Sequence, residues 1–193
     1  MEISLVRHGK SKCTENTGIT CQEFIDWVER YDNNGVFEEN SYPAKTLNKI
    51  ATANIVLTSD LKRSVESAKL LNPNIKAISV PLFRETELPT ITKLWGIKLK
   101  PSIWALILRC LWFGGYSRGC ESLSNAKSRA KKASELLVEY AQENTSVVLI
   151  GHGFFNMLIA EELQKTGWIG KRKTSSKHWN CTTYSFFKGA ITD

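Results

Sequence analysis

Residues 2–10 read EISLVRHGK, and this stretch decides the fold class of the chain. Its first five residues are mostly apolar and include β-branched side chains, a composition that predicts a buried strand. The stretches NIVLT at residues 54–58 and SVVLI at residues 146–150 have the same character. Strands that are apolar along their whole length are typical of a parallel sheet with both faces covered by helices.

Segments with helical periodicity separate these strands. Helices are predicted over residues 21–32, 44–51, 61–71, 121–143 and 154–165 and from about residue 101 to the glycines at 114–115, and further strands over residues 76–81 and 181–187. The last strand alternates in the way that an edge strand does. The order predicts a three-layer α/β/α sandwich with a mainly parallel central sheet and one antiparallel edge strand. In such sheets, ligands bind beyond the carboxyl ends of the strands.

Size, charge and cysteine content limit the organisation of the chain. A length of 193 residues suits one domain, which we expect to span residues 1–193. The net charge of +7 favours anionic partners, but the lysine-rich runs lack interleaved aromatic residues, so no nucleic acid partner is expected. The five cysteines form no CxxC pair, and no secretory signal pattern precedes the first strand. We therefore expect a cytoplasmic protein without a disulfide framework or structural zinc.

The most apolar segment, residues 101–116, reads PSIWALILRCLWFGGY. It is shorter than the ~20 residues that a membrane span needs, and Arg109 interrupts it. It predicts a helix that begins near Pro101 and is apolar nearly all the way round. This leaves several roles open: a core helix, a lid over a binding cleft, or an interface with a second subunit or a membrane surface. For the protein as a whole we expect no membrane association.

Two strand ends carry histidine. The first strand ends in Arg7 and His8, and the strand over residues 146–150 leads into His152, which lies between two glycines. Both ends belong to the same edge of the predicted sheet, and the glycines allow backbone N–H groups to approach a ligand closely. No Asp, Glu or Cys lies at a ligand spacing from either histidine, and Arg7 would repel a cation. We therefore expect neither a metal nor a cofactor.

A third strand end carries cations. Ser59 or Asp60 is predicted to cap the helix that follows, whose first turn contains Lys62 and Arg63. Cations are unfavourable at the positive end of a helix dipole, so their presence indicates a bound anion. The alternative is that both side chains turn to solvent and that Arg63 pairs with Glu66.

An anion pocket with an imidazole at its centre is suited to phosphoryl transfer through a phosphohistidine. Neighbouring cations favour a neutral imidazole, and arginine side chains match the oxygens of a phosphoryl group. The leaving oxygen then needs a proton donor. Glu85 and Glu87, which follow the predicted strand at residues 76–81, are the candidates.

These motifs together resemble those of the histidine phosphatase superfamily, which includes cofactor-dependent phosphoglycerate mutases and related acid-type phosphatases. VRHGKS at residues 6–11 resembles the RHG signature, TSDLKRSVESA at residues 58–68 the S-D-L-x-R element, and GHGFFN at residues 151–156 the second histidine motif. LFRE at residues 82–85 is similar to the segment with the proton donor, and CESLSNAKSRA at residues 120–130 to the start of the long helix. The ordered set implies a phosphoglycerate mutase-like fold.

The resemblance also implies a role for each site residue. His8 is the nucleophile. Glu85 is the acid for the leaving group and the base for the attacking water, with Glu87 as the alternative. The phosphate pocket is implied to contain Arg7, Arg63, His152 and the backbone N–H of Gly153, and His152 is also implied to be catalytic, because it stabilises the transferring phosphoryl group.

The chain departs from the mutase pattern in two places: Thr14 stands where the mutases carry asparagine, and the segment after Glu85 lacks their glycine-containing sequence. The missing asparagine, together with a length that is short for a glycolytic mutase, favours a phosphatase. We therefore expect hydrolysis of a phosphomonoester, either a small molecule or a phosphorylated protein side chain. A mutase and a catalytically silent phospho-ligand binder are the alternatives, and the oligomeric state is left open.

The variable segment of the family corresponds to residues of about 86–120, which we expect to form a cap or lid. Its aromatic residues are predicted to form a roof that excludes water from a phosphate ester: Trp95, Trp104, Trp112 and Phe113. Ordinary core packing is the alternative for each of them.

Overall fold

Strands and helices alternate along the chain, as predicted. A computed structural model describes residues 1–91 and 96–187 of the protein. Its elements are β1 (Glu2–Arg7), α1 (Cys21–Asn33), α2 (Ala44–Thr52), β2 (Ile55–Thr58), α3 (Lys62–Leu71), β3 (Ile78–Ser79), a 3-10 helix (Pro81–Phe83), α4 (Pro101–Phe113), α5 (Leu123–Asn144), β4 (Ser146–Gly151), α6 (Gly153–Lys165), β5 (Ile169–Gly170) and β6 (Cys181–Ser185). Each predicted helix and strand is present, with small shifts of its ends.

The strands form a sheet in the order β3-β2-β4-β1-β6-β5. β3, β2, β4 and β1 are parallel to one another, whereas β6 runs antiparallel to β1 and β5 antiparallel to β6. A mainly parallel sheet with an antiparallel edge is therefore confirmed, but the outermost strand is β5 and not, as predicted, β6. β5 has only two residues, too few for an alternating pattern to indicate it.

Helices cover both faces of the sheet, which confirms the three-layer arrangement. On one face, α5 and α6 pack against sheet side chains such as Leu5 and Leu149. On the other face, α2 and α3 cover Val6 and Ile150. Neighbouring residues of β1 and β4 point to opposite faces, so both strands are buried on both sides. This burial is the reason that they are apolar throughout.

The register of the sheet brings three strand ends to one edge. Arg7 at the end of β1 lies opposite Gly151 at the end of β4, and Thr58 at the end of β2 lies opposite Ile150. The residues that follow β1, β2 and β4 therefore share the edge where a parallel sheet of this kind binds its ligands.

The apolar helix α4 begins at Pro101, as predicted. Its residues Trp104 and Trp112 are fully buried, and their indole N–H groups donate to backbone carbonyl oxygens at 2.8 and 2.7 Å. These two tryptophans are core side chains, which corrects the predicted roof. Phe113 is exposed, and Trp95 lies outside the described residues. Among the described residues, no helix combines the length and the hydropathy that a membrane crossing needs.

Candidate active site

His8 lies directly after β1 and is buried. Its Nδ1 is 2.7 Å from the carbonyl oxygen of Gly9, and a carbonyl can only accept, so Nδ1 carries the proton. Burial lowers the pKa of His8 well below its ordinary value, and the positive charge of Arg63 lowers it further. The imidazole is therefore neutral at neutral pH, and Nε2 keeps its lone pair. An imidazole in this state is a nucleophile.

The backbone on either side of His8 is fixed. The His8 N–H donates to the carbonyl oxygen of Gly151 at 3.0 Å, and the Gly9 N–H donates to Ser67 Oγ at 2.9 Å. A Cβ on Gly9 would overlap the indole ring of Trp179. Glycine is therefore required after the histidine because Trp179 occupies the space of a side chain.

His152 is the N-cap residue of α6 and is fully buried. Its Nε2 lies 2.7 Å from Ser59 Oγ, which also accepts a 3.3 Å hydrogen bond from the N–H of Leu61. A hydroxyl group can accept and donate at the same time, and we assign its proton to the hydrogen bond with Nε2, which places the ring proton on Nδ1. Nδ1 is buried without a partner among the described residues. The ring centroids of His8 and His152 are 5.1 Å apart.

The charge state of His152 follows from its surroundings. Burial lowers the pKa of His152 well below its ordinary value, and the positive charge of Arg63 lowers it further. The side chain is neutral at neutral pH, and it offers its Nδ1 proton as a hydrogen-bond donor. At the same edge of the sheet, His8 thus supplies a lone pair on Nε2 and His152 a hydrogen-bond donor on Nδ1.

Arg63 is buried on α3 and is held by two residues that sequence reasoning missed. Its Nη1 is 2.5 Å from Asp32 Oδ1, and its guanidinium lies over the ring of Tyr31 at 4.8 Å. Its Nε has no partner among the described residues. The alternative pairing of Arg63 with Glu66 is not observed; Glu66 accepts from the N–H of Val36 at 3.0 Å and lies 3.9 Å from Nζ of Lys62.

The start of α3 differs from the prediction. Its N-cap residue is Leu61, whose side chain cannot cap, so the expected cap by Ser59 or Asp60 is wrong. Ser59 serves His152, and Asp60 accepts two hydrogen bonds from Arg84, both at 2.6 Å. The helix therefore begins with cations and without a side-chain cap, an arrangement that favours an anion nearby.

Arg7 lies at the end of β1, beside the first residue of α6. Its Nη1 donates to the carbonyl oxygen of Ser176, and its buried Nε has no partner among the described residues. A Cβ on Gly153 would stand 3.4 Å from that Nε. The glycine therefore keeps the space between Arg7 and the start of α6 open.

Glu85 follows the 3-10 helix and reaches the N-terminus of α6. Its Oε1 accepts from the N–H groups of Thr86 and Phe155, both at 2.9 Å, and its Oε2 from the N–H of Phe154 at 3.1 Å. Glu87 instead accepts from the backbone N–H of Glu121 at 3.2 Å, just before α5. Of the two candidate carboxyl groups, Glu85 is thus the one that adjoins His152 and Gly153.

His178 is a third histidine at the site, and sequence reasoning missed it. Its Nδ1 donates to the carbonyl oxygen of His8 at 2.8 Å, and the two ring centroids are 5.5 Å apart. Burial lowers the pKa of His178, with Arg7 as the next cause. The signal that could have found His178 is the pairing of β6 with β1. Cys181 lies beside Val6 in this pairing, so the residues just before Cys181 lie near His8.

Arg109 connects α4 to the segment that carries Glu85. It is buried, and its Nη2 donates to the carbonyl oxygen of Thr86 at 2.9 Å. Its guanidinium lies over the rings of Trp112 and Phe154 at 4.8 and 4.4 Å. Burial lowers the pKa of Arg109, and the negative charge of Glu85 partly offsets this effect. The variable segment therefore contributes directly to the surroundings of Glu85.

Comparison with solved structures shows the same fold at low sequence identity. The product of the open reading frame Rv3214 from Mycobacterium tuberculosis is 15% identical with a TM-score of 0.59, over 97% of this chain and 92% of that one. A mutant phosphoserine phosphatase from Entamoeba histolytica, in complex with phosphoserine, is 14% identical with a TM-score of 0.58 over the same shares. The alpha-ribazole phosphatase from Shigella flexneri is 17% identical with a TM-score of 0.50, over 83% and 79%.

Comparison at the level of families is more specific. A search of curated proteins gives no match. The family model of the histidine phosphatase superfamily (branch 1) matches residues 38–189, which include Arg63, Glu85 and His152. The described structure adds His8 to these residues through the pairing of β1 with β4. The chain belongs to the histidine phosphatase superfamily.

Proposed function

We propose that the protein is a phosphatase that hydrolyses a phosphomonoester through a phosphohistidine on Nε2 of His8, without a metal ion. One observation carries the proposal. The hydrogen bond from Nδ1 to the Gly9 carbonyl leaves the lone pair on Nε2, and burial keeps the ring neutral. Both conditions are required of an imidazole that attacks phosphorus.

The donors around His8 support a phosphoryl ligand. Arg7 Nε, Arg63 Nε and His152 Nδ1 are buried, and none has a partner among the described residues. Buried donors normally have an acceptor, and leaving one unpaired costs about 1–3 kcal/mol. The three equatorial oxygens of a transferring phosphoryl group would supply acceptors, and their charge grows in the transition state.

The reaction then has two steps. In the first, Nε2 of His8 forms a bond to phosphorus while the ester P–O bond breaks, and Glu85 gives a proton to the leaving oxygen. In the second, Glu85 takes a proton from water, whose oxygen attacks phosphorus as the N–P bond breaks and inorganic phosphate forms. Glu85 ends as it began, and His8 is again neutral.

Hydrolysis is preferred over transfer back to the substrate. Thr14 replaces the asparagine of the mutases, and two of the proteins with this fold are phosphatases by name, for phosphoserine and for alpha-ribazole phosphate. We propose a small phosphate ester or a phosphorylated side chain as the substrate. We also propose the reducing cytoplasm as the compartment, since all five cysteines are free.

The test is turnover of p-nitrophenyl phosphate in buffer containing EDTA. His8→Ala is expected to abolish turnover, and Glu85→Gln to reduce it by about 100-fold or more. Glu87→Gln is the matched control and should retain nearly full activity. Rapid quench with labelled substrate should give a protein label that is labile in acid and stable in base. Activity that disappears on chelation, or that persists in His8→Ala, would refute the mechanism.

Transfer is distinguished from hydrolysis in a second measurement. Each phosphorylated metabolite that the enzyme accepts is followed for release of inorganic phosphate and for formation of a positional isomer. Stoichiometric release of phosphate supports the phosphatase, whereas isomer without phosphate release identifies a mutase. Absence of turnover with every substrate, together with phosphate binding, would identify a silent binder.

A further inference from the structure

Helix α4 has an exposed apolar face in addition to its buried one. Trp104, Leu108 and Trp112 point into the core. The side chains on the opposite side of the helix are exposed and recur at helical spacing, and we call them the outer face of α4: Ile103, Leu106, Ile107, Cys110 and Leu111. Leu106 is the most exposed of the large ones, at 64%. An amphipathic helix that packs on a core needs only one apolar face, so packing against the core does not explain the outer face.

Exposed apolar side chains are concentrated around this helix. Of the thirteen large exposed hydrophobic residues in the described part of the chain, eight lie on α4 or beside it: Ile97, Ile103, Leu106, Ile107, Leu111, Phe113, Tyr116 and Phe154. Single exposed hydrophobic residues are ordinary, whereas a contiguous set marks a surface that binds another molecule or a membrane.

The outer face is flanked mainly by cations, with Glu23 of α1 near Lys98. Between Leu88 and Cys120 the sequence contains five lysine or arginine residues and no aspartate or glutamate. Lys98 and Lys100 are exposed just before α4, and Arg118 is exposed shortly after it. The apolar face is therefore flanked by cations at both ends.

This charge pattern disfavours a second copy of the chain as the partner. A twofold interface places the same surface on both subunits. Whether two α4 helices paired parallel or antiparallel, the lysines or Arg118 of one copy would meet cations of the other. Glu23 near Lys98 is one carboxylate against the three exposed cations Lys98, Lys100 and Arg118, so an anionic partner is the complementary one.

We propose that the outer face of α4 docks on an anionic phospholipid membrane surface. A helix with an apolar face and flanking cations lies in the interfacial plane, with its apolar side chains among the acyl chains and its cations at the headgroups. This inference departs from the expectation that the protein has no membrane association. It involves docking on a surface, not a span, and it does not depend on the proposed phosphatase activity.

The docking surface adjoins the candidate active site. The rings of Phe113, at the end of α4, and Phe154 have centroids 6.1 Å apart. The N–H of Phe154 is one of the donors to Glu85. Docking through α4 would therefore bring the region around Glu85 close to the bilayer.

The test is co-sedimentation of the whole protein with vesicles. Vesicles of phosphatidylcholine containing 30% phosphatidylglycerol, roughly the charge of an anionic leaflet, are compared with vesicles of phosphatidylcholine alone. Wild type should bind the anionic vesicles, and 0.5 M salt should weaken the binding. Leu106→Ser should weaken it about tenfold, and Lys98→Glu with Lys100→Glu about 25-fold or more.

Matched controls use residues of the same kind elsewhere on the surface. Ile169→Ser, the control for Leu106→Ser, removes an apolar side chain that is 67% exposed on β5. Lys171→Glu with Lys173→Glu changes the net charge by the same amount as Lys98→Glu with Lys100→Glu. Both should bind like wild type. Circular dichroism and thermal unfolding establish that every variant is folded, which is expected because all the changes are on the surface.

Several outcomes would overturn the proposal. They are no binding to either type of vesicle, equal binding to both types, or equal losses in the control and α4 variants. A dimer of wild type that Leu106→Ser dissociates, without vesicle binding, would assign the face to a second copy of the chain instead. Sedimentation velocity over a range of protein concentrations detects that dimer.

Discussion

We propose that the Ser59 hydroxyl group sets the tautomer of His152, and Ser59→Ala tests this by removing it. In wild type, the Ser59 hydroxyl accepts from the N–H of Leu61 and lies 2.7 Å from Nε2 of His152, to which we assign it as the donor. Nδ1 therefore carries the proton that we propose to be donated to the phosphoryl group. Without the hydroxyl, the proton is free to move to Nε2, and a lone pair then faces the anion.

The expected loss of activity follows from the hydrogen bond between Nδ1 of His152 and the phosphoryl group, which the variant would lose. A hydrogen bond to a charged group contributes about 1.5–3 kcal/mol, which corresponds to about 10-fold to 150-fold in an equilibrium or a rate. We expect kcat/KM of Ser59→Ala to fall within this range. Stability should also fall by about 1–3 kcal/mol, because Nε2 is fully buried and loses its partner.

Two measurements separate the tautomer from a loss of folding. Long-range ¹H–¹⁵N spectra identify which ring nitrogen of His152 is protonated, and p-nitrophenyl phosphate turnover gives kcat/KM. Ser134→Ala is the matched control, since Ser134 is also buried and donates to the carbonyl oxygen of Lys131 at 2.7 Å on α5. It should lose stability without losing activity.

Either of two results would show that the Ser59 hydroxyl does not act through the tautomer of His152. One is a wild-type spectrum in which Nδ1 of His152 is unprotonated. The other is a Ser59→Ala variant whose kcat/KM stays within twofold of wild type while its unfolding shows the expected loss of stability. In the second case the hydroxyl would matter only for packing.

Two further predictions concern pH and the variable segment. Because the folded-state pKa values of His8 and His152 are depressed, the unfolded chain takes up protons below about pH 6.5 that the native state does not. The free energy of unfolding should be highest above that pH and fall by up to about 1.4 kcal/mol per pH unit for each histidine on acidification. Urea titrations at pH 7.5 and 5.5 measure this dependence, and His152→Asn should make the free energy of unfolding depend less on pH. An unchanged pH dependence in His152→Asn would contradict this prediction. Arg109→Met removes the donor to the Thr86 carbonyl and should lower kcat about tenfold and shift the pH profile of kcat. Arg118→Met is its control, and equal profiles for the two variants would show that Arg109 does not position Glu85.

Much of the candidate site was predictable because its signals are local. An apolar run followed by His8 and Gly9 specifies a buried strand with a reactive end, and the two glycines around His152 specify a tight turn into a helix. Parallel strands must present their carboxyl ends together, so these residues meet at one edge whatever the details of packing. Arg63 was indicated by its place in the first turn of a helix, and Glu85 and Glu87 by their place after a strand; the resemblance then favoured Glu85 as the proton donor.

Tertiary structure decided the partners of these groups. Asp32 reaches Arg63 from α1, His178 reaches His8 through the antiparallel strand β6, and Ser59 turns to His152 instead of capping α3. These contacts join residues far apart in the chain, and no pattern of neighbouring residues encodes them. Sequence by itself determined which residues could react, because periodicity and turn chemistry are local properties. The packing of distant segments determined the burial and the neighbours that set the charge states of the histidines, such as Ser59 beside His152 and the charge of Arg63 near His8, because a buried polar atom takes its state from whatever the fold places beside it.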